Sequence, residues 1–264
     1  MKISVFGSLT LGLLMTASLA GAADLMPDFA DIPSGWTTDR YDPASFTNVG
    51  TYQGRNNVLG IGITSAGNLA NRALAFQNSF YNTQGRQHAV TGGVGSFLAA
   101  DLYIPASWSD AANGSVRTDM WGVMQNAVPV VSAYPIIGFT NYGGSARLRV
   151  FDGDVASLWV DLGTAVAYDA WTSFTIAFTG SAFVYGVNGT TVYTDSTISG
   201  TTGFQAVIMQ AYNFADPAIN GAVLTDYTAN WSNAAAVPEP GFYGLLTLGL
   251  GSLLYFNRRR KVSL

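Results

Sequence analysis

Short alternating stretches separated by turn residues fill the chain from about residue 23 to residue 233. The clearest alternation is Trp171 to Thr179, WTSFTIAFT. Trp171, Ser173, Thr175, Ala177 and Thr179 fall on one face of an extended chain, and Thr172, Phe174, Ile176 and Phe178 on the other. Successive strand side chains point to opposite faces, so this stretch reads as a half-buried strand. Ala182 to Thr194, AFVYGVNGTTVYT, places β-branched and aromatic runs on either side of Asn188-Gly189. Asn-Gly between such runs predicts a hairpin with a type I′ turn, because that turn needs positive φ at both central residues. Further strand candidates are Val58 to Thr64, Phe97 to Ile104, Thr118 to Met124, Ile136 to Thr140, Arg147 to Phe151, Leu158 to Leu162, Phe204 to Ala211 and Val223 to Trp231. There is no long helical period and no internal repeat, and Gly67 to Phe80 admits a loop or one short helix. About ten to thirteen strands punctuated by Gly, Asn and Asp predict an all-β body, a two-sheet antiparallel jelly-roll sandwich.

The two ends break this pattern. At the start, Lys2 precedes a mostly apolar run from Ile3 to Leu19, then the small-residue site Ala20-Gly21-Ala22, with the first acidic residue at Asp24. This is the layout of a secretory signal peptide, residues 1–22, cleaved after Ala22 or alternatively after Ala20 or Ala23. At the other end, Phe242 to Phe256 carries no charge and is followed by Arg258, Arg259, Arg260 and Lys261. At ~1.5 Å per residue the apolar run is about 22 Å long, short of the ~30 Å hydrocarbon core. The basic cluster nevertheless marks a cytoplasmic membrane stop, only three residues follow it, and Gly244, Gly249 and Gly251 suit a membrane helix better than a soluble one. The expectation is a transmembrane helix over 241–257.

Composition sharpens this picture. Charged residues are 11% of the chain, and its two lysines, Lys2 and Lys261, lie at its extremes. Between Asp24 and Val237 there are fifteen Asp and seven Arg, a net charge of -8. An acidic body without lysine argues against nucleic acid, whose affinity comes largely from cations on phosphates. There is no cysteine, which excludes disulfides, thiolate metal sites and thiol nucleophiles. The one glutamate is Glu239, inside Val237-Pro238-Glu239-Pro240.

That motif, followed by a short Gly- and Leu-rich apolar run and a terminal arginine cluster, resembles the PEP-CTERM sorting signal. The resemblance covers about Ala236 to Arg260, roughly a tenth of the chain, within the sorting segment 234–264. It implies export by the Sec translocase, cleavage by signal peptidase, transient anchoring in the inner membrane, and processing by exosortase on the way to the cell surface or extracellular space. Two prolines keep the motif extended, as a protease requires. The body, residues 23–233, resembles concanavalin A-like jelly rolls of the LamG/laminarinase type in its strand order and Asn-Gly hairpin. Hydrolases of that type use closely spaced glutamates, and this body has none.

Candidate chemistry in the body is sparse. Asp152-Gly153-Asp154 reads first as a turn and second as the start of a calcium-binding loop, since Ca²⁺ takes several oxygen ligands; no other cofactor is indicated. His88 is the one histidine, without a Gly-x-Ser-x-Gly elbow to accompany it. Trp36, Trp108, Trp121, Trp159, Trp171 and Trp231 are candidates for core packing or for a sugar-stacking platform. The expectation from these observations is a non-enzymatic structural or adhesive protein of the extracellular matrix, with a carbohydrate-binding, lectin-like module as the alternative and a glycosidase as a remoter one. The expected catalytic set is empty, and extracellular polysaccharide is the expected non-protein partner.

Overall fold

The computed structural model describes residues 23–78, 80–212 and 223–233. The signal-cleavage residues Ala20 and Ala22, the motif Val237 to Pro240, the span 241–257 and the basic cluster Arg258 to Lys261 lie outside them. Among the described residues no helix is long and apolar enough to cross a membrane.

Among the described residues, fifteen strands form two antiparallel sheets. They are β1 (Trp36–Thr38), β2 (Ser45–Asn48), β3 (Leu59–Ile63), β4 (Gln84–Gly92), β5 (Phe97–Ile104), β6 (Arg117–Asn126), β7 (Val131–Ala133), β8 (Ile136–Thr140), β9 (Arg147–Phe151), β10 (Trp159–Asp161), β11 (Ala170–Phe178), β12 (Phe183–Val187), β13 (Thr190–Asp195), β14 (Thr201–Ala211) and β15 (Tyr227–Asn233). The larger sheet runs β1-β4-β14-β6-β8-β9-β10, with β7 paired to β6, and the smaller runs β13-β12-β11-β5-β15-β3-β2. The expected two-sheet jelly-roll sandwich is what forms.

Alternation along each strand fills the space between the sheets. Met120, Met124, Ile137, Phe139, Val150, Phe204, Val207 and Met209 from the larger sheet meet Leu59, Ile61, Leu98, Leu102, Phe174, Ile176, Tyr185 and Trp231 from the smaller one. In β11 the apolar Phe174, Ile176 and Phe178 are buried and their neighbours are not, as the sequence pattern requires. Hydrogen bonds tie the layers directly: Trp231 Nε1 on β15 donates to Thr118 Oγ1 on β6 at 2.9 Å, that hydroxyl donates to the Gln210 carbonyl at 2.8 Å, and Tyr227 OH on β15 reaches the Arg117 carbonyl on β6 at 2.9 Å. The hairpin turns at Asn188 and Gly189 with φ of 51° and 76°.

Four strands are absent from the sequence-derived set: β1, β2, β4 and β7. The longest, β4, reads QGRQHAVTG and lacks apolar alternation, because both its faces carry polar or small residues. Gly67 to Phe80 contains neither a plain loop nor a regular α-helix but 3-10 turns at Leu69–Asn71 and Leu74–Phe76, following one at Ser65–Gly67. Arg72 pins this connection: it is buried, donates from Nε to Gly67 O at 2.9 Å and from Nη2 to Gln84 Oε1 at 2.7 Å, also donates to Asn82 O, and lies over the Tyr41 ring.

Candidate functional site

The residues of the larger sheet that do not face the core form a second, outward layer. Register places Gln87, Ile208, Trp121, Ile136, Phe151 and Trp159 in one row across β4, β14, β6, β8, β9 and β10. The adjacent row is Gly85, Gln210, Asp119, Gly138, Arg149 and Asp161. Trp121, Val123, Ile136, Ala206 and Ile208 pack here as a small apolar cluster with Tyr134, Phe151 and Trp159, separate from the main core. A sheet with one face on the core normally leaves the other face polar. This one carries aromatic rings and buried polar groups instead.

Asp119 is fully buried in the centre of the polar row. Its Oδ2 accepts from Arg117 Nε and from Gln210 Nε2, each at 2.6 Å, while its Oδ1 has no partner. The glycines that flank it are required by this geometry. A Cβ on Gly138 would overlap Asp119 Oδ1 and the Thr118 carbonyl and lie 2.7 Å from Asp119 Cα, and one on Gly85 would run into Gln210 Cβ at 2.6 Å. Four other buried polar atoms of this face also lack partners: Gln210 Oε1, Trp121 Nε1, Arg149 Nε and Arg40 Nε. Buried polar groups are nearly always satisfied, by protein or by ordered water, so these atoms are where water or a polar ligand would bond on this face.

Guanidinium groups cover the aromatic row. Arg40 lies 4.2 Å from the Phe80 ring centre and 5.0 Å from that of Trp121; Arg117 and Arg149 lie 4.7 and 3.8 Å from that of Trp159. Arg117 pairs with Asp119, Arg147 with Asp161 and Arg40 with Asp39. At the β1 edge the face opens into a groove of about 410 Å³ lined by Thr37, Asp39, Gln87, Tyr134, Gln205 and Ile208, among others. Asp39 joins the polar row through its N–H, which donates to Gly85 O. Burial raises the Asp39 carboxyl above the ordinary carboxylate range, against the opposing pull of Arg40.

A second cluster lies where the turn after β9 meets the end of β13. Asp152, Asp154 and Asp195 each bring a carboxylate oxygen within 4.8 Å of the others. Asp152 Oδ1 accepts from Asp154 N at 2.9 Å, its Oδ2 accepts from Tyr193 OH at 2.7 Å, and Asp195 Oδ1 accepts from Thr197 N at 2.8 Å. The hydrogen bond to Asp152 pushes the Tyr193 hydroxyl up to about 12. Asp152-Gly153-Asp154 is thus a turn, as its sequence suggests, and the third acid, some forty residues further on, was visible only in the fold. An acidic cluster of this kind can bind a metal ion.

The structure sorts the remaining candidates. Trp36, Trp108 and Trp231 are core residues. Trp171 lies on the outside of the smaller sheet, against Tyr103 and under Arg55, with Nε1 donating to Gln53 O. Trp121 and Trp159 are brought together on the outer face of the larger sheet. His88 rests against Trp36, 5.3 Å between ring centres, with Nδ1 2.8 Å from Ala89 O. Sequence reasoning missed Asp119, Asp39, Gln210 and Arg149. The signal available for Asp119 was its place in RTDMWGV, a charged residue in an otherwise buried strand.

No protein-family model and no curated protein matches the chain. Solved structures do. Bacillus licheniformis β-glucanase is 13% identical with a TM-score of 0.47, over 80% of this chain and 97% of that one. A prokaryotic β-1,3-1,4-glucanase (lichenase) from a mouse hindgut metagenome is 13% identical with a TM-score of 0.45, over 78% and 95%. A LamA variant from Z. galactanivorans, solved with laminaritriose and laminaritetraose, is 12% identical with a TM-score of 0.45, over 79% and 96%. These neighbours are glucanases, and against them the expectation of a non-enzymatic structural or adhesive body does not stand. That expectation rested on the missing glutamates and on searching for carboxylate pairs close together in sequence. The fold instead aligns aspartates from distant segments, Asp39 and Asp119, along one row of one face.

Proposed function

We propose that the protein is a carbohydrate-active enzyme that binds a polysaccharide on the outer face of the larger sheet and cleaves glycosidic bonds there. The observation that carries this reading is the groove beside a row of buried, unpartnered polar groups, with aromatic rings in the adjacent row. Sugars present apolar ring faces and dense hydroxyls, and such a surface offers stacking area together with donors and acceptors. Glycoside cleavage needs a protonated carboxyl at the leaving oxygen and a second, ionised one. Asp39, whose carboxyl burial favours the protonated form, fills the first role. Asp119, held by Arg117 and Gln210 and lying three strands along the same row, orders the polar groups of the face on which the glycan would rest.

The test is release of reducing ends from a panel of polysaccharides by the purified protein. Cleavage of at least one, lost on Asp39→Asn with binding retained, supports the reading. No cleavage of any glycan sinks it.

For the chain ends we propose the sorting route that the sequence suggests: signal peptide 1–22, anchoring by 241–257 with Arg258 to Lys261 inside, and exosortase processing at Val237-Pro238-Glu239-Pro240. The support is the order of three unrelated features at one terminus. Mass spectrometry of the surface fraction should find a C-terminus near Val237 to Gly241, and an intact tail ending at Leu264 refutes it. For the acidic cluster, Ca²⁺ is the ion whose oxygen preference suits Asp152, Asp154 and Asp195.

A further inference from the structure

Arg149 differs from the other arginines of the outer face. Arg40, Arg117 and Arg147 each have an aspartate partner, whereas Arg149 forms no ion pair among the described residues. It is 7% exposed and its Nε has no hydrogen-bond acceptor. It lies in the polar row between Gly138 and Asp161, flat against Trp159 at 3.8 Å. Asp119 accepts from Arg117 and Gln210 and so leaves Arg149 unmatched. Burial, helped by the positive charge of Arg117 and Arg147 and opposed by Asp119 and Asp161, brings Arg149 down to about 9.

A buried charge without a counter-charge is costly, and proteins place one only where something else compensates it. A guanidinium stacked on an indole is held in orientation and keeps its donors for a planar anion. A neutral sugar supplies no charge to match it. Resting on the reading that this face binds polysaccharide, we infer that the glycan is acidic and that Arg149 recognises a carboxylate or sulfate substituent on it. Arg147, at the exposed edge of the same face, steers the approach. The rest of the body works against adventitious binding of such a polymer, since its net charge is -8 between Asp24 and Val237.

The experiment measures binding of the purified protein to alginate and polygalacturonate as carboxylated polymers, dextran sulfate as a sulfated one, and dextran and laminarin as neutral ones, at physiological salt. Charge-assisted contacts lead us to expect about tenfold or tighter binding to one anionic class than to either neutral polymer. The carboxylated and sulfated arms tell which substituent is read. Arg149→Met, which keeps the stem against Trp159, should abolish the preference, and Arg149→Lys should keep part of it. Equal or tighter binding of the neutral polymers overturns the inference and leaves the glycan-binding reading standing. So does a preference that survives in a folded Arg149→Met protein. Binding of no polymer at all overturns both. Should Arg149→Met fail to fold, the wild-type comparison alone decides.

Discussion

Thr118 is a point at which one tie between the two sheets can be removed without disturbing their shape. It is fully buried, receives the Trp231 indole N–H at 2.9 Å and donates to Gln210 O at 2.8 Å. Thr118→Val keeps the branched shape and removes the hydroxyl. The hydroxyl's bond to Gln210 O, net about 1 kcal/mol, is lost, and the indole N–H is left buried and unsatisfied at about 1–3 kcal/mol. The expected cost is therefore about 2–4 kcal/mol. For a body of about 200 residues that corresponds to a fall in Tm of roughly 4–16 °C. Trp231→Phe removes the donor, so in that background Thr118→Val has no indole to orphan and should cost about 1–3 kcal/mol less. Urea unfolding followed by circular dichroism on the four members of this cycle gives the coupling directly, and avoids the fluorescence change that loss of a tryptophan brings. A Thr118→Val cost below about 0.5 kcal/mol, or single effects that add within that margin, would refute the inter-sheet role.

Other perturbations test separate parts of the account. Gly138→Ala puts a methyl into Asp119 Oδ1 and the Thr118 carbonyl; it should destabilise by at least about 1–3 kcal/mol, measured by thermal melting, and a neutral result would show that Asp119 is free to move. Any hydrolysis that depends on Asp39 as proton donor should fall as pH rises through its raised carboxyl value, and the Asp39→Asn rate should lack that limb. Desolvation raises Asp195, so the protonated form favours the fold: its contribution is complete below the unfolded-state value and is lost as pH rises through the folded one. Without metal, Asp195→Asn should therefore raise Tm at neutral pH, with the gain shrinking on acidification. If the cluster holds Ca²⁺, millimolar calcium should raise the wild-type Tm and leave the Asp195→Asn protein unmoved; a shift of equal size in both would rule out Asp195 as a ligand.

The site illustrates why the outer face escaped notice in the sequence. Asp119, Gln210, Arg149 and Asp39 come from β6, β14, β9 and the segment after β1, and nothing in their spacing relates them. Only strand order, in which β14 sits between β4 and β6, makes them a row. Trp121 and Trp159 read as core residues or sugar platform alike, since an aromatic in a strand gives no indication of which sheet face is covered. Glutamate count weighed one residue type alone, and said nothing of the aspartates that the fold gathers. The acidic cluster was half legible: Asp152 and Asp154 share a turn, and Asp195 joins them only when β13 is laid beside the turn after β9.

The chain's local chemistry fixed the strands whose faces differ. Period-two alternation made β11 half-buried, Asn188-Gly189 closed the hairpin because both residues accept positive φ, and the run FLAADLYI read as a strand, which it is. Those properties belong to a few neighbouring residues, so the sequence states them outright. Where polar and small residues sit on both faces, as in QGRQHAVTG, it states nothing, and pairing with β1 and β14 made that segment a strand. Which face would be roofed by arginines and rings, which aspartates would meet, and which guanidinium would be left without a carboxylate were decided by tertiary structure alone. They depend on contacts between residues tens to more than a hundred positions apart.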